Sequence, residues 1–186
     1  MEEDILQALA VLRAGGLILY PTDTVWGIGC DATSQAAVQK VYDLKRSGEK
    51  KSMIALVGRV QDVGRYAEVP DVAMQLLELS DKPLTLILPK AGGVAPNLIP
   101  EEGTLGIRVP QHEFCQALLR RFGRPIVSTS ANITGEPAPA RVGEISKAIL
   151  KGVDYVVSRA SEGSPTGKPS SIIALGAGGE VKIIRE

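Results

Sequence analysis

The sequence contains very little histidine and cysteine. Its 186 residues include one histidine, His112, and two cysteines, Cys30 and Cys115, which do not form a CxxC pair. A structural zinc site needs about four such ligands, so the sequence predicts no protein-ligated metal. Because two cysteines supply no disulfide framework, a reducing compartment, the cytoplasm, is the simplest expectation.

Long apolar runs are also missing. No stretch approaches the roughly 20 apolar residues needed to cross a bilayer, and the start, MEEDILQALAVLRAGG, is acidic where a signal peptide is basic. The sequence therefore predicts a soluble cytoplasmic protein with no membrane partner. The 21 basic and 21 acidic residues balance, so any contact with RNA must come from a local patch.

Several common catalytic signatures fail. The run from Gly163 to Pro169 resembles a phosphate loop, but it is one residue short, and Pro169 replaces the metal-binding Ser or Thr. There is no GxSxG elbow, and a single histidine argues against a Ser/His/Asp hydrolase. Gly27-Ile28-Gly29 lacks the third glycine of a Rossmann fingerprint. What remains favours phosphate chemistry by positioning and charge stabilisation, in which the substrates supply the reacting groups.

Helical and extended patterns alternate along the chain and are separated by Gly and Pro. This alternation is typical of α/β proteins, and the length fits one compact domain over residues 1–186. Both parallel and antiparallel strand pairs are expected, which favours a mixed twisted open sheet with flanking helices. The strand order is not predicted.

The periodic segments predict individual elements. The first helix is expected to end at Gly15-Gly16 and to bury one apolar stripe, formed by Ile5, Leu6, Leu9 and Leu12. Ser34 is expected to cap a second helix that ends in Lys45 and Arg46. Further helices are expected at 72–79, 113–122 and 144–150, and strands at 17–20, 53–57, 84–88, 105–109, 126–128 and 155–157. A final hairpin pairs 171–175 with 181–184.

Two polar segments have a structural explanation when each is taken alone. Pro21-Thr22-Asp23-Thr24 favours a turn whose side chains bond its own backbone. The cations Lys45, Arg46, Lys50 and Lys51 favour a solvated helix end, because positive charge suits that terminus.

Two other segments leave more room for function. Arg108 lies in a strand-like run, where a buried charge is costly without a partner. Binding of a ligand and a structural ion pair are equally good explanations of this charge. The hydroxyls and amide of Ser128-Thr129-Ser130-Ala131-Asn132 follow an apolar strand, and this composition favours a site for oxyanions or carboxylates.

Four segments occur in order: YPTDTVWGIGCDA, LKRSGEKKSMIALV, TLGIRVP and VSTSANITGEPA. Together they resemble the YrdC-like threonylcarbamoyl-AMP synthase family, and the resemblance extends over residues 18–185. It implies the family's fold, a twisted open α/β sheet with a concave, cation-lined active-site face. Because the chain ends at Glu186, the short, single-domain form of the family is expected.

The resemblance also implies roles for individual residues. At bound L-threonine it places Thr24, Arg108 and Ser128. At ATP it places Thr104, Ser130 and Lys51, with Arg185 and Ser171 as weaker candidates. The catalytic set that it implies is Lys45, Arg46, Ser130 and Asn132. Asn132 also begins a glycosylation sequon, Asn132-Ile133-Thr134. A role of Asn132 in ligand binding explains this pattern without glycosylation.

One position departs from the family's pattern. The family shows Lys-x-Arg where this chain has Lys45-Arg46-Ser47, so Ser47 stands at the usual arginine position. Either Arg46 reaches the phosphates from a shifted backbone, or Lys50 or Lys51 replaces it, although lysine does not reproduce a bidentate arginine contact. The loops 48–51 and 163–167 are both expected as lids.

The resemblance implies a nucleotidyltransferase reaction without a covalent protein intermediate. The amine of threonine attacks bicarbonate to give a carbamate, whose oxygen displaces pyrophosphate from the α-phosphate of ATP. Mg²⁺ is expected with ATP and is held mostly by ATP and water. The product, threonylcarbamoyl-AMP, would pass to a tRNA threonylcarbamoyl transferase, and a weak tRNA contact is expected.

Two alternatives stay open at this point. A paralogous enzyme on the same fold, with a different substrate, is supported by the Lys45-Arg46-Ser47 departure. A non-enzymatic RNA-binding module is the other alternative. The zero net charge and the lack of an RNA-recognition motif argue against it, and Trp26 with a few Tyr and Phe residues offers little base stacking.

Overall fold

The computed structural model describes residues 1–47, 53–139 and 141–186. Within them the strands are β1 Ile18–Tyr20, β2 Gly27–Gly29, β3 Ile54–Leu56, β4 Leu84–Leu88, β5 Leu105–Arg108, β6 Ile126–Ser130, β7 Tyr155–Val156, β8 Ser171–Leu175 and β9 Val181–Arg185. The α-helices are α1 Glu2–Arg13, α2 Gln35–Lys45, α3 Asp71–Leu79, α4 Glu113–Phe122 and α5 Lys147–Gly152. Short 3₁₀ helices cover Val60–Arg65, Pro96–Leu98, Val142–Glu144 and Arg159–Ser161.

The strands pair into one open mixed sheet. Across the described residues their order is β7-β1-β2-β6-β3-β5-β4-β8-β9. The pairs β1–β7, β3–β5 and β4–β8 are parallel, and the pairs β1–β2, β2–β6, β3–β6, β4–β5 and β8–β9 are antiparallel. The mixed open α/β sheet expected from the alternating patterns is therefore confirmed.

The two faces of the sheet have different environments, because successive strand residues point to opposite sides. On one face Ala55, Leu86, Ile107 and Val127 are fully buried in the hydrophobic core. Helices α1, α2 and α4 contribute apolar side chains to the same core, including Ile5, Leu12, Val38, Val41, Phe114 and Leu118. The opposite face carries the polar side chains of Thr85, Arg108 and Ser128, together with the buried apolar side chains of Leu56 and Ile126.

Most of the predicted helices are present, with two differences. Ser34 accepts a hydrogen bond from Ala37 N at 3.2 Å, and α2 ends at Lys45 with Arg46 as its C-cap, as expected. The assignment of Leu6 to the buried stripe of α1 is wrong, since it is 55% exposed and Ala8 completes the stripe instead. The last helix begins at Lys147 rather than Glu144, because Ser146 caps it.

Strand β2 was not expected, because glycine has a low strand propensity. Here the glycines permit a close approach between neighbouring strands. A Cβ on Gly29 would lie 2.6 Å from Tyr20 Cε1, and one on Gly27 would lie 3.2 Å from Ser128 Oγ. Pairing with β2 also extends β6 to Ser130, two residues beyond the predicted end at Ser128. The polar residues of this segment thus lie within the sheet.

Asp4 connects α1 to the segment after β7. Its buried carboxylate accepts hydrogen bonds from Tyr155 Oη at 2.7 Å, from Ser158 N at 3.0 Å, and from the hydroxyls of Ser158 and Ser161 at 2.7 Å each. Burial alone would raise the pKa of Asp4, but the hydrogen bonds from Ser158, Ser161 and Tyr155 lower it well below its usual range. The charged form is therefore the one that the fold requires.

We expect Asp4→Ala to lower the free energy of unfolding at pH 7 by at least about 2 kcal/mol, because several buried donors lose a charged acceptor. The folded-state pKa of Asp4 is depressed, so its contribution is present above 3.8 and is lost as the pH falls below that value. Denaturant unfolding at pH 7 and pH 3 measures this, with the exposed Glu3→Ala as control. An equal loss at both pH values would contradict the assignment.

Candidate active site

A cavity of about 290 Å³ lies against the polar face of the sheet. Among the residues predicted from the sequence, it brings together Thr24, Arg108, Ser128, Ser130 and Arg185. The residues that sequence reasoning did not assign to the site are Val25, Trp26, Gly27, Ile54, Thr85, Thr129, Ala138, Pro169, Ser170 and Ile172. The site is therefore assembled from seven strands and three loop segments.

Strand register explains why two distant arginines line the same cavity. Arg108 of β5 pairs with Thr85, Thr85 pairs with Ile172, and Ile172 pairs with Arg185 of β9. Residues directly opposite in neighbouring strands share a face, so this row crosses four strands on one side. Burial lowers the pKa of Arg185, and the charge of Arg108 lowers it further. The row therefore concentrates positive charge in the cavity.

Arg108 is the most deeply buried charge in this row, with 3% of its surface exposed. Its Nη1 donates to Thr24 Oγ1 at 2.9 Å, and its Nη2 lies 3.5 Å from Asp23 Oδ1. Within the described ranges its Nε has no hydrogen-bond partner. The ion pair is thus present, as one interpretation of the sequence expected. The guanidinium has five N–H groups and keeps unused donors beside the cavity.

The hydrogen bonds of the Thr22–Thr24 turn have a definite direction. Thr22 Oγ1 donates to Val25 O at 2.8 Å, so its only proton is used. The contact of 2.9 Å between the hydroxyls of Thr22 and Thr24 must then be donated by Thr24, which in turn accepts from Arg108. Thr24 keeps one lone pair free for the N–H or O–H of a ligand. The predicted self-bonded turn is present, and the same turn presents Thr24 to the cavity.

The segment 162–167 is hydrogen-bonded to this turn. Thr166 N donates to Asp23 O at 3.0 Å, and Gly167 N donates to Thr24 O at 2.9 Å. Trp26 Nε1 donates to Glu162 Oε1 at 2.6 Å. Trp26 is buried, so it is not an exposed platform for stacking RNA bases. The role of 163–167 as a lid stays a prediction, and the loop 48–51 lies outside the described residues.

Ser170 completes the far side of the cavity. Its carbonyl accepts two hydrogen bonds from Arg185, from Nε at 2.9 Å and from Nη2 at 2.7 Å. Its hydroxyl lies 2.8 Å from Thr85 Oγ1. The neighbouring Ser171, the weaker candidate from the sequence, lines a separate groove beside α3. Successive residues of an extended chain point to opposite sides, so only one of the two serines can face the cavity. The sequence does not show which one, because it does not show which face of β8 the cavity lies on.

Lys45 does not line the cavity. Its buried Nζ donates to Ser130 O at 2.6 Å and to Asn132 O at 2.7 Å, and its carbonyl accepts from Thr134 N at 2.9 Å. The hydroxyl of Ser47, at the family's arginine position, lies 2.6 Å from that of Thr134. Burial lowers the pKa of Lys45 from 10.5 to about 8. Lys45 and Ser47 therefore hold the segment 130–134 against the end of α2.

Three other predicted site residues, Arg46, Asn132 and Thr104, do not line this cavity. Arg46 is exposed, and Lys51 lies outside the described residues. Asn132 Nδ2 donates to Ile133 O at 3.0 Å and to Glu136 O at 2.8 Å, which closes a turn. Thr104 lines a smaller neighbouring cavity of about 90 Å³ that shares Ile54, Thr85 and Ile172 with the main one. Their roles stay predictions.

Two further features bear on the chemistry of the site. In the part of the chain that the structure describes, no group of three or more His, Cys, Asp and Glu side chains could hold a metal ion. Burial raises the pKa of both Cys30 and Cys115 above the usual range, so neither thiol is an activated nucleophile.

No helix among the described residues is both long and apolar enough to span a bilayer.

The fold and the cavity define an α/β protein with a cationic, hydroxyl-rich site on an open mixed sheet. Residues 10–186 match the model of the Sua5/YciO/YrdC family, which carries the description telomere recombination. The chain therefore belongs to the Sua5/YciO/YrdC family, and the resemblance found in the sequence is confirmed.

Similar proteins agree with this assignment. The chain is 40% identical over 143 residues to the threonylcarbamoyl-AMP synthase of Mus musculus, which covers 76% of this chain and 51% of the mouse protein. It is 37% identical over 155 residues to the threonylcarbamoyl-AMP synthase of Stenotrophomonas maltophilia, with 81% and 83% covered. The chain thus spans about half the length of the mouse relative and most of the bacterial one.

Solved structures of P. abyssi Sua5 have the same fold. The H234A/Y235A variant superposes with a TM-score of 0.87 at 28% identity, over 100% of this chain and 56% of that chain. The complex of P. abyssi Sua5 with L-threonine gives a TM-score of 0.83 at 29% identity, over 94% and 52%.

Lys45→Met is expected to destabilise the protein more at high pH than at neutral pH. Below pH 8 Lys45 is protonated in both states, whereas between 8 and 10.5 the unfolded chain keeps a proton that the folded chain has lost. The stability that Lys45 contributes therefore rises with pH across this window, and the neutral amine still has two donors for the two carbonyls. Melting temperatures of the wild type, Lys45→Met and the exposed control Lys147→Met from pH 7 to 10.5 measure it. If the difference in melting temperature between the wild type and Lys45→Met stays constant over this pH range, the amine of Lys45 is not buried as described.

Proposed function

We propose that the chain condenses L-threonine, bicarbonate and ATP into threonylcarbamoyl-AMP, with release of pyrophosphate and water. The observation that carries the proposal is the convergence of a buried arginine, Arg108, with Thr24 and Ser128 in one cavity that also contains Ser130 and Arg185. The names of the mouse and bacterial relatives and the threonine complex of P. abyssi Sua5 support it.

The proposed threonine site uses groups whose hydrogen bonds are incomplete. Arg108 has donors left over from its contacts with Thr24 and Asp23, and these suit the carboxylate of an amino acid. Thr24 has a free lone pair that would accept from the ammonium or hydroxyl group of threonine. Ser128 lines the same cavity and would orient the threonine hydroxyl. Together these contacts would direct the amine toward bicarbonate.

The chemistry proposed for this site needs no covalent bond to the protein. The free amine of threonine attacks the carbon of bicarbonate, water leaves, and a carbamate forms. A carbamate oxygen then attacks the α-phosphorus of ATP, and pyrophosphate leaves. Arg185 and the hydroxyl of Ser130 would offset charge on the phosphate oxygens, as positioned donors commonly do. Arg46 and Lys51 are proposed at the outer phosphates, and Lys45 and Asn132 act by fixing the segment that presents Ser130.

Thr104 extends the proposed site for ATP beyond the main cavity, because its own small cavity shares Thr85 and Ile172 with it. Mg²⁺ would come with ATP and be held mainly by phosphate and water oxygens, since the described residues offer no cluster of metal ligands. Mg²⁺ would neutralise charge on the phosphates there.

Several broader expectations are part of the same proposal. The buried free thiols of Cys30 and Cys115 suit a reducing compartment, so we place the reaction in the cytoplasm. The product would pass to a tRNA threonylcarbamoyl transferase, and a weak direct contact with tRNA is included in the proposal. Residues 1–186 are proposed to act as one YrdC-like domain, which the sheet shared by β1 to β9 supports.

Pyrophosphate release tests the proposed reaction directly. The purified chain should release pyrophosphate only when ATP, bicarbonate and L-threonine are all present, and mass spectrometry should detect threonylcarbamoyl-AMP. Bicarbonate-dependent release with another amino acid or amine in place of threonine would favour a paralogous enzyme. RNA binding without any nucleotide turnover would favour a non-enzymatic module.

Arg108→Lys should raise the KM for threonine about ten- to hundredfold and the KM for ATP much less. Lysine keeps the positive charge but loses the paired donors, and charge-assisted hydrogen bonds of this kind contribute about 1.5–3 kcal/mol. Steady-state kinetics against each substrate measure this. The matched variant Arg185→Lys, in the same row, should affect ATP more than threonine.

A melting curve of Arg108→Lys separates binding from stability. If Arg108 serves only the buried pair with Asp23, the melting temperature falls while the KM for threonine stays unchanged, and the assignment to threonine is then lost.

A further inference from the structure

A second cavity, of about 390 Å³, lies at the other ends of β3 and β6 from the main cavity. The main cavity meets these strands at Ile54 and Ser128–Ser130, whereas the second cavity meets the chain after β3 and before β6, at 57–59 and 123–125. It is bounded by the 3₁₀ helix Val60–Arg65 and by the C-terminal end of α4. The two cavities therefore share strands and no lining residues.

Arginines dominate the lining of this second cavity. They come from separate elements: Arg59 and Arg65 from the ends of the 3₁₀ helix, Arg120 from α4, and Arg124 from the turn before β6. Asp62 is the acid that lines the cavity with them. It pairs with Arg59 at 2.7 Å and with Arg65 at 3.4 Å. In a chain with no net charge, this is a strong local excess of positive charge.

Carboxylates hold several of these guanidinium groups in fixed orientations. Arg59 donates to both oxygens of Asp62, from Nε at 2.7 Å and from Nη2 at 3.1 Å. Arg124 donates to the buried Asp31 at 2.8 Å, and its guanidinium lies 5.9 Å from the centroid of the Phe122 ring. Asp31 is itself fixed by Thr33 N at 2.8 Å. Arg59 and Arg124 are thus oriented before any ligand arrives.

The same guanidinium groups remain accessible. The side chains of Arg59, Arg65 and Arg124 are 63%, 68% and 59% exposed. Arg120 takes part in none of the ion pairs found within the described ranges. Exposed ion pairs contribute only about 0–1 kcal/mol to folding stability. The dipole of α4 favours a cation in the last turn of that helix, which explains Arg120 but not the other three arginines. Stability therefore gives little reason for these arginines to converge.

We propose that this second cavity is a binding site for phosphate groups of a multiply charged ligand. Guanidinium groups match phosphate oxygens with paired donors. The phosphates can come from the backbone of an RNA strand or from a small polyphosphate such as inorganic pyrophosphate. The proposal does not depend on the reaction proposed for the main cavity, because the two cavities have no residue in common.

The double variant Arg65→Gln/Arg120→Gln tests this proposal while leaving the Arg59–Asp62 and Arg124–Asp31 pairs in place. A labelled RNA hairpin and inorganic pyrophosphate are the two probes, titrated at several salt concentrations. The control is Lys147→Gln/Lys151→Gln, which removes the same charge from the exposed surface of α5.

If RNA is the ligand, the variant should bind the hairpin at least about fivefold more weakly, and the slope of log K against log salt should fall by up to about 2, one per lost contact. If a small polyphosphate is the ligand, calorimetry should show one fewer pyrophosphate site. Unchanged binding of both probes, relative to the control, would overturn the proposal. Threonine-dependent pyrophosphate release should stay at the wild-type rate, so failure here is distinct from failure of the proposed function.

Discussion

The buried charge of Arg108 is the constraint on which the arrangement of the site depends. A guanidinium in the interior of a sheet is costly unless an opposite charge and hydrogen-bond acceptors accompany it. Asp23 supplies the charge, and Thr24 supplies the acceptor. Asp23 in turn accepts from Gln111 N at 3.0 Å, and its carbonyl accepts from Thr166 N at 3.0 Å. Three separate loops are therefore fixed around one charge.

Arg108 and Lys45 are both buried cations, but they differ in whether they face the main cavity. Lys45 directs its amine at two backbone carbonyls and lies outside the main cavity. Arg108 faces the cavity and leaves Nε without a partner among the described residues. Buried polar groups are rarely left unpaired without a reason. The carboxylate of the proposed threonine ligand would add acceptors for the guanidinium of Arg108, whereas Lys45 already has its partners and stabilises the segment that carries Ser130.

Sequence reasoning succeeded where the signal was local. The periodic apolar segments, the Ser34 cap and the final hairpin were predictable because each depends on neighbours in the chain. Leu6 was misplaced because it lies a quarter turn from the true stripe of α1. Strand β2 was missed because its glycines are explained by close contacts with side chains of the two neighbouring strands, Tyr20 of β1 and Ser128 of β6. Strand pairing brings these side chains close, and no local pattern in 27–29 indicates it.

The candidate site was predictable in part for the same reason. Thr24, Arg108, Ser128 and Ser130 belong to segments whose composition or family resemblance marks them, and they do converge. Thr85 and Ser170 carry no such mark. Thr85 is one polar residue in an apolar strand, and its place in the cavity follows from its pairing with Arg108. Lys45 directs its amine at the carbonyls of Ser130 and Asn132 because of tertiary packing, and the sequence of α2 does not predict this orientation.

A crystal structure of the protein with L-threonine and a non-hydrolysable ATP analogue would show which group Arg108 binds. We expect the carboxylate of threonine within hydrogen-bonding distance of Arg108, its ammonium or hydroxyl group at Thr24 Oγ1, and the α-phosphate on the Ser130 and Arg185 side of the same cavity. Threonine bound elsewhere, with Arg108 still contacting only Asp23 and Thr24, would contradict this expectation.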